Sequence, residues 1–475
     1  MRLPKPKGIQ IEVLDLPCEG HNVILGTAGS GKTTLAIYRA VGLSHLNRKE
    51  KVLLITFNKT LVKYLNALTE DESPSNIDVV NYHKFARGYL NSRGKIPSGN
   101  VIVSGTRKSK NSKIKLIGDA IRDVVDAIGE NSTLKRAESV FLEEINWIEK
   151  MGIKSLEEYE KVERIGRIKT RIKRENRKYF YYVYQQYLCN RNKCGYEYDW
   201  EDMAMFVYEE LKNDDTKRMY KHIVIDEGQD LSPMMLKSLV EAIPRDGSLT
   251  YFGDVAQQIY GSRLSWRDAG LNLKNKKIWK FDRNYRNSKE IAKLAIEISK
   301  LPYFSEEIDF VEPIMPTASS PKPALVKFNS ESRELGWIVE FAEKASEHQS
   351  VAILVRDRET VSKINNKFIV KRVTTQILKN EMNSVKLDYR ISVGTYHSAK
   401  GLEFDMVILP FCSSERLPKA DTITTFESRE EALTEEIKLV YVAVTRARRG
   451  LIISYSGDKT ELLPDKKELY DERNQ

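Results

Sequence analysis

The fold of this chain is decided by the stretch Val23-Ile24-Leu25-Gly26-Thr27-Ala28-Gly29-Ser30-Gly31-Lys32-Thr33-Thr34. Its first three residues are apolar and predict a buried strand, and a helical pattern begins at Thr34. The residues between them have the spacing G-x-x-x-x-G-K-T, which is typical of a phosphate-binding loop. The glycines let backbone N–H groups turn towards a nucleotide β-phosphate, where a side chain would block the approach. A strand, such a loop and a helix in succession predict an α/β nucleotide-binding fold.

The loop also carries two side chains with assigned chemistry. Lys32 would reach the β- and γ-phosphates, and the Thr33 hydroxyl would hold Mg²⁺. The phosphates would lie at the N-terminus of a helix, whose dipole favours negative charge. We therefore expect every residue of the loop to contribute to cofactor binding: Gly26, Thr27, Ala28, Gly29, Ser30, Gly31, Lys32, Thr33 and Thr34.

Two adjacent carboxylates, Asp226 and Glu227, follow a second apolar stretch, 222–225. Such a pair by itself is usually solvated surface, but after a buried strand it complements a phosphate loop. Asp226 would hold Mg²⁺, usually through water, and Glu227 would polarise the attacking water. A further apolar strand ends at Asp254 and leads to Gln257, which is placed to sense the γ-phosphate or the attacking water.

Composition limits the class of protein. The chain has 475 residues, enough for about three domains, and its 41% hydrophobic and 30% charged content fits a globular protein with sizeable cores. A net charge of +10 favours a polyanionic partner without identifying it. The four cysteines form no zinc pattern, and no export signal or membrane-spanning run is present. We therefore expect a cytoplasmic location, reduced thiols and no membrane association.

A basic run, 161–178, is followed directly by several aromatic residues. It lies in a charged, helix-rich region that interrupts the strand–helix alternation. Basic residues beside aromatic ones suit a single-stranded nucleic acid, with phosphates to pair and bases to stack. A solvated helix face that continues into a packed aromatic face explains the same pattern. Both interpretations remain open for the aromatic residues Tyr179, Phe180, Tyr181, Tyr182, Tyr184 and Tyr187.

With its motifs in this order, the chain resembles the UvrD/Rep/PcrA-type superfamily 1 DNA helicases from about Gln10 to Leu451. The most specific motifs are G-D-x-x-Q-x-I-Y, N-Y-R, H-S-A-K-G-L-E-F and Y-V-A-V-T-R-A, which begin at Gly253, Asn284, His397 and Tyr441. The resemblance implies two RecA-like domains, with ATP in the cleft between them and single-stranded DNA across their top. It thus names ATP and Mg²⁺ as cofactors and DNA as a partner.

The resemblance also implies residue roles. Gln10 would contact the adenine, Tyr285 would stack on it, and Glu403 would lie near the ribose. Arg286 and Arg446 would be arginine fingers that reach the γ-phosphate, so the catalytic set becomes Lys32, Glu227, Gln257, Arg286 and Arg446. Four residues match family positions that are near DNA or couple it to the ATP site: Phe57, His83, Tyr260 and His397.

Three departures from the family pattern stand out. Thr34 replaces an arginine that often follows G-K-T, and Ser262 replaces a tryptophan that stacks on DNA, although Trp266 is nearby. The interval from Arg286 to Gly394 completes a second RecA-like domain but is too short for the family's large accessory subdomain. We therefore expect an α/β protein of two RecA-like domains in a compact form. The predicted parts are 1–83 with 206–280 (first domain), 84–205 (helical insertion), 281–456 (second domain) and 457–475 (loose tail).

The resemblance predicts an ATP-dependent translocase or helicase on single-stranded DNA, with 3′→5′ direction. The alternative is a DNA- or nucleotide-sensing ATPase subunit that regulates a separate nuclease, as in two-component antiphage defence systems of the Gabija type. The short second half and the lack of a nuclease motif favour keeping this alternative.

Overall fold

Two parallel β-sheets, each flanked by helices, organise the residues that the computed structural model describes. These are residues 6, 9–27, 30–56, 75–95, 101–102, 112–162, 164, 172–254, 266, 270–273, 278–281, 287–302, 316, 318–378, 390–399, 402–419 and 429–475. The sequence prediction of an α/β fold with two parallel sheets is confirmed.

Fifteen strands are present in the described residues. In chain order they are β1 (Gly20–Gly26), β2 (Val52–Ile55), β3 (Ile77–Val80), β4 (Val101–Ile102), β5 (Tyr198–Asp199), β6 (His222–Ile225), β7 (Ser248–Gly253), β8 (Trp279–Phe281), β9 (Ala324–Phe328), β10 (Val351–Val355), β11 (Gln376–Ile377), β12 (Ile391–Thr395), β13 (Phe404–Leu409), β14 (Ala447–Ser456) and β15 (Asp471–Asn474).

The α-helices of the same residues alternate with these strands, except in one helix-rich region. They are α1 (Ile9–Glu12), α2 (Lys32–Leu46), α3 (Tyr82–Ser92), α4 (Lys113–Ile128), α5 (Glu138–Met151), α6 (Leu156–Lys161), α7 (Arg174–Lys193), α8 (Met203–Lys212), α9 (Pro233–Glu241), α10 (Lys289–Ser299), α11 (Glu331–Ala345), α12 (Arg358–Val370) and α13 (Arg429–Val444).

The first sheet has the spatial order β3-β2-β6-β7-β1-β8, and all its neighbouring strands are parallel. Strands β2, β6 and β7 are buried along their whole length. This explains why they are continuous apolar runs rather than alternating ones. Since the strands are parallel, β1, β6 and β7 all end at the same edge of the sheet. The polar residues that follow them are therefore brought together there.

Helices α4 to α7 form a separate core between β3 and β6 in the chain. Four aromatic side chains of α7 fill this core, each 5% exposed or less: Phe180, Tyr181, Tyr184 and Tyr187. Phe141 stacks on Phe180 with ring centroids 4.5 Å apart. These burials confirm the packed-face interpretation for the four aromatic residues and exclude them as a base-stacking surface.

The second sheet has the order β11-β12-β10-β13-β14-β9-β15, again with parallel neighbours. Helices α10, α11 and α12 each pack against strands of this sheet or against its helices. Within residues 287–302, 318–378 and 390–399, the elements thus all belong to the second sheet, and no further helical subdomain occurs there. This agrees with the compact form predicted from chain length.

The prediction of a loose tail at 457–475 is wrong. Residues Asp471–Asn474 pair with β9 as an edge strand, and Leu462, Leu463, Leu469 and Tyr470 are buried in the core of the second sheet. These four apolar residues are surrounded in sequence by charged ones, so the segment shows no helical or strand-like hydrophobic periodicity. All four residues of this strand are exposed, and the strand pairs with β9 through its backbone, so no apolar pattern of side chains could reveal it.

Across the described residues, the helices are too short or too polar to cross a lipid bilayer.

Candidate active site

The phosphate loop connects β1 to α2, as predicted. A Cβ atom on Gly26 would clash with the Ser30 hydroxyl, and Gly31 has a left-handed φ of 86° just before α2 begins. Both positions therefore require glycine, the first for space and the second for backbone conformation. Ala28 and Gly29 lie outside the described residues.

The Lys32 ammonium is held inside the curve of this loop. Its Nζ donates to the carbonyl oxygens of Gly26 and Thr27 at 2.8 Å each, and it lies 3.6 Å from the Asp254 carboxylate. The side chain is only 8% exposed. A phosphate oxygen can replace these carbonyls as the acceptor, because the ammonium has three donors in one place.

The predicted Mg²⁺ residues come together from distant parts of the chain. The Thr33 hydroxyl donates to Asp226 Oδ1 at 3.1 Å, and the Thr56 hydroxyl donates to Oδ2 at 3.3 Å. Asp226 is 1% exposed, and burial, followed by the nearby Glu227 charge, raises its pKa to about 7. A hydroxyl and a carboxylate are the oxygen ligands that Mg²⁺ prefers, and a cation would offset the buried charge. The donor set therefore fits Mg²⁺.

Glu227 begins a tight turn directly after Asp226. Its φ of 53° is left-handed, which is uncommon for a residue with a side chain. Gln229 Nε2 donates to Glu227 Oε2, and the same side chain accepts a 2.9 Å hydrogen bond from Asp254 N through Oε1. Such strained backbone is frequent where a side chain must be held for function. The turn thus fixes the predicted general base relative to the end of β7.

Gln10 contacts the phosphate loop directly. Its Nε2 donates to Ser30 O at 2.9 Å, so the Gln10 amide lies against the phosphate loop. This is the position from which it would contact the adenine. Arg39 of α2 holds the segment after α1 by donating to the carbonyls of Leu14, Leu16 and Pro17. Sequence reasoning missed Arg39, because its partners are backbone atoms that no pattern of side chains reveals. The contact of Gln10 with adenine stays a prediction.

Arg446 and Glu403 occupy neighbouring backbone segments of the second sheet. Arg446 is 1% exposed, and its guanidinium donates to Val442 O at 2.9 Å and Leu402 O at 3.5 Å. Phe404 N donates to Arg446 O at 3.1 Å, which ties the segment of Glu403 to that of Arg446. The backbone segments that carry Glu403 and Arg446 are therefore joined by a hydrogen bond. The contact of either side chain with a nucleotide stays a prediction.

The two histidines assigned to DNA follow strands of different sheets, β3 of the first and β12 of the second. His83 is in the first turn of α3, with its ring centroid 4.4 Å from that of Trp200. His397 follows β12 and is half-buried. Thr34 lies in the first turn of α2. The remaining predicted site residues lie outside the described residues: Phe57, Gln257, Tyr260, Tyr285 and Arg286.

Trp266 is half-buried and packs against the apolar core beside the first sheet. Its ring meets that of Tyr251 edge-on at 5.0 Å, and its indole N–H is buried. This position favours a packing role for Trp266 over the DNA-stacking role suggested by its nearness in sequence to Ser262.

The basic run divides into structural and exposed members. Arg177 donates to the carbonyls of Tyr159, Glu160 and Val162 at the end of α6, and Arg164 pairs with the buried Glu144. Lys173 is 71% exposed and lies 3.7 Å from the equally exposed Glu175. An exposed ion pair is weak, so a phosphate can replace Glu175 as its partner.

Comparison with protein families decides the assignment. The UvrD/REP helicase N-terminal domain matches residues 9–282, and the UvrD-like helicase C-terminal domain matches residues 371–458. The chain belongs to the UvrD/Rep helicase family. Family membership indicates an ATP-dependent DNA helicase, which confirms the resemblance seen in the motifs.

Individual relatives agree with this assignment. A protein of Mycoplasma pneumoniae named "Probable DNA helicase" is 24% identical in an alignment of 469 positions that covers 91% of this UvrD/Rep-family chain and 80% of that protein. The ATP-dependent DNA helicase srs2 of Schizosaccharomyces pombe is 29% identical over 30% of this chain and 15% of its own length. The ATP-dependent DNA helicase Rep of Buchnera aphidicola subsp. Schizaphis graminum is 31% identical over 22% and 15%. The chain thus spans only a small part of the last two relatives.

Proposed function

We propose that this UvrD/Rep-family chain is an ATP-driven motor that moves 3′→5′ along single-stranded DNA and separates long duplexes poorly by itself. The observation that carries the proposal is the meeting of Lys32, Thr33, Asp226 and Glu227 at one edge of the first sheet. These four residues provide phosphate binding, cation binding and a general base for phosphoryl transfer to water.

The chain's own residues define the steps. Lys32 leaves the carbonyls of Gly26 and Thr27 to bind phosphate oxygens, and the loop N–H groups surround the β-phosphate. Glu227 accepts the proton of the attacking water. Mg²⁺, when bound at Thr33 and Asp226, supplies charge neutralisation at the phosphates. Arg446 and Arg286 would neutralise the charge on the transferred group from the second domain, and closure around ATP would alternate the grip on DNA.

The same proposal assigns 1–83 with 206–280 to the first RecA-like domain, 84–205 to the helical insertion and 281–475 to the second domain. The last boundary includes the former tail, because its apolar residues are buried in the second core. The nucleotide contacts are completed by Gln257, Tyr285 and Glu403. The DNA contacts are assigned to Phe57, His83, Tyr260 and His397.

Weak unwinding follows from the compact second half. The family resemblance implies an accessory subdomain that can contact duplex DNA in larger members, whereas helices α10 to α12 of this chain pack with the second sheet. Opening a duplex costs about 1.4 kcal/mol per base-pair step on average, so opening many pairs needs sustained grip or a wedge. A protein partner could supply either.

The test compares the purified chain on two substrates, with Glu227→Gln as the inactive control. On single strands, ATP-dependent displacement of streptavidin from a 5′ end, and not from a 3′ end, supports 3′→5′ movement. Efficient and processive opening of a long duplex with a 3′ overhang would contradict the unwinding part of the proposal. Absence of movement on single strands would contradict the motor itself.

A second candidate, regulation of a separate nuclease by ATP hydrolysis, is favoured by the same compactness. It predicts DNA-stimulated hydrolysis without streptavidin displacement. The two substrates above therefore separate the candidates.

A further inference from the structure

Gln229 lies between the predicted general base and the end of a neighbouring strand, and no role follows for it from the motor described above. The side chain is 5% exposed. Its amide nitrogen donates to Glu227 Oε2, and its amide oxygen accepts from Asp254 N at 2.9 Å. Both ends of the amide are therefore used, in the only orientation that gives the carboxylate a donor and the backbone N–H an acceptor.

Asp254 in turn faces the phosphate-binding lysine. Its carboxylate lies 3.6 Å from Lys32 Nζ. A chain of contacts thus runs from Lys32 through Asp254 and Gln229 to Glu227. It joins the residue that binds phosphate to the residue that would activate water, although β1 and β6 are separated by β7 in the sheet.

The Tyr251 ring packs against the turn that carries Glu227 and Gln229. A Cβ atom on Gly228 or on Gly253 would clash with opposite edges of the Tyr251 ring. The ring is thus enclosed between the turn after β6 and the end of β7, and Trp266 packs on it edge-on. Because this apolar contact holds the two backbone segments at a fixed separation, the Gln229 amide can span them with both hydrogen bonds.

We propose that Gln229 is a positioning residue that holds the Glu227 carboxylate in the orientation needed to activate water and joins it to Asp254 at the end of β7. A carboxylate on a tight turn has several rotamers, and a charge-assisted hydrogen bond selects one of them. The inference rests on the proposed hydrolysis of ATP and deepens it. Gln229 acts through Glu227 and does not itself contact the reacting atoms.

The test is Gln229→Met, which keeps the length of the side chain and removes both hydrogen bonds. We expect turnover to fall about 10- to 100-fold, the range for losing a hydrogen bond to a charged group. The KM for ATP should change less than about threefold, since Gln229 is not in the phosphate loop. Gln186→Met is the matched control, because Gln186 also donates to a carboxylate, Asp123 Oδ2 at 2.9 Å, on the surface of α7. It should leave turnover and KM unchanged.

A double-mutant cycle separates positioning from general support of the fold. In a Glu227→Gln background, measured by single turnover, adding Gln229→Met should change the residual rate less than about twofold. An undiminished effect there would overturn the proposal, because Gln229 would then act without Glu227. Wild-type turnover in Gln229→Met would also overturn the proposal. So would a rise in KM as large as the fall in turnover.

The Gln229→Glu variant provides a second readout. Its carboxylate keeps the acceptor for Asp254 N and replaces the donor with a second negative charge beside Glu227. We expect it to lose turnover at least as strongly as Gln229→Met and to lower the melting temperature, because the added carboxylate is buried beside the like charge of Glu227. Normal turnover in this variant would also overturn the proposal.

The outcome for Gln229 is distinct from that for the proposed function. Wild-type hydrolysis without stimulation by DNA would contradict the DNA motor, while the basal rates of the variants would still decide the role of Gln229. A wild-type chain that hydrolyses no ATP would overturn both.

Discussion

The Thr33 hydroxyl donates to the Asp226 carboxylate at 3.1 Å across 193 residues of sequence. This contact brings a side chain of the phosphate loop onto the end of β6. It is the tertiary relationship on which a cation site at this position depends, because one oxygen donor alone would not hold Mg²⁺.

The pH dependence of cation binding follows from Asp226. Burial and the Glu227 charge raise its pKa to about 7, so the folded chain keeps a proton on Asp226 that the unfolded chain loses near pH 4. A proton and Mg²⁺ compete for the same carboxylate. We expect the rise in melting temperature caused by Mg²⁺ to be larger at about pH 8 than at about pH 6.

The same shift affects stability without Mg²⁺. Since the folded state binds the extra proton, stability falls as pH rises from about 4 to about 7 and is constant above. The melting temperature of Asp226→Asn relative to wild type should therefore increase over that range. For the Mg²⁺ prediction above, an equal rise in the wild-type melting temperature at about pH 6 and about pH 8 would contradict the assignment of Asp226 as a cation ligand.

Glu227→Gln should bind ATP and lose turnover by about 10²- to 10⁴-fold, the usual contribution of a general base. Lys32→Ala should instead weaken binding itself, because the loop loses the ammonium that reaches the phosphates. Binding of a fluorescent ATP analogue and steady-state hydrolysis, measured on both variants, separate the two roles. Wild-type hydrolysis by Glu227→Gln would remove Glu227 from its assigned role.

Arg446→Ala should lower turnover far more than ATP affinity, since an arginine finger contributes about 10³- to 10⁵-fold in rate. It should also lower the melting temperature, because the carbonyls of Val442 and Leu402 lose their donor. Arg446→Lys keeps the charge without the planar fork and should still lose most turnover. Arg416→Ala, at an exposed pair with Glu331, is the control. If Arg446→Ala and Arg286→Ala both retain turnover, the closed two-domain site is wrong.

Substituting the exposed residues Lys173 and Arg174 and the half-buried Lys178 by glutamine should make DNA binding less dependent on salt. Each lost phosphate contact changes the slope of log affinity against log salt by about 0.7 for single strands. Arg177→Gln should leave the slope unchanged and lower the melting temperature, because Arg177 holds the end of α6. An unchanged slope in the triple variant would show that this run is only a solvated surface.

Lys113→Met should destabilise the core formed by α4 to α7 by about 3–5 kcal/mol, the cost of leaving buried charges unpaired. Lys113 Nζ lies 2.5 Å from Glu149 and 2.6 Å from Asp199, and all three are nearly inaccessible. Urea unfolding measures the loss. The double variant Lys113→Met with Glu149→Gln should recover part of it, and equal stability of both variants would argue against an electrostatic cause.

Local spacing was sufficient to predict the phosphate loop and the Asp226–Glu227 pair, because each depends on residues adjacent in sequence. The two-sheet fold was predicted from the family resemblance. The contacts of Arg39, Gln229 and Tyr251 could not be predicted, since their partners come from other strands or are backbone atoms. The tail was mispredicted for the same reason: Asp471–Asn474 is a strand only because β9 offers an unpaired edge.

The position of β1 in the first sheet has a consequence for synthesis of the chain. β1 pairs with β7 and β8, which end at Gly253 and Phe281, so the ribosome must add more than half of the chain before the phosphate loop has its flanking strands. Until then the apolar residues Val23, Ile24 and Leu25 have no partner strands to cover them. Parallel pairing between such distant segments folds slowly and leaves nascent chains open to aggregation. The core formed by α4 to α7, whose buried residues end at Tyr187, can form before the first sheet has received its central strands.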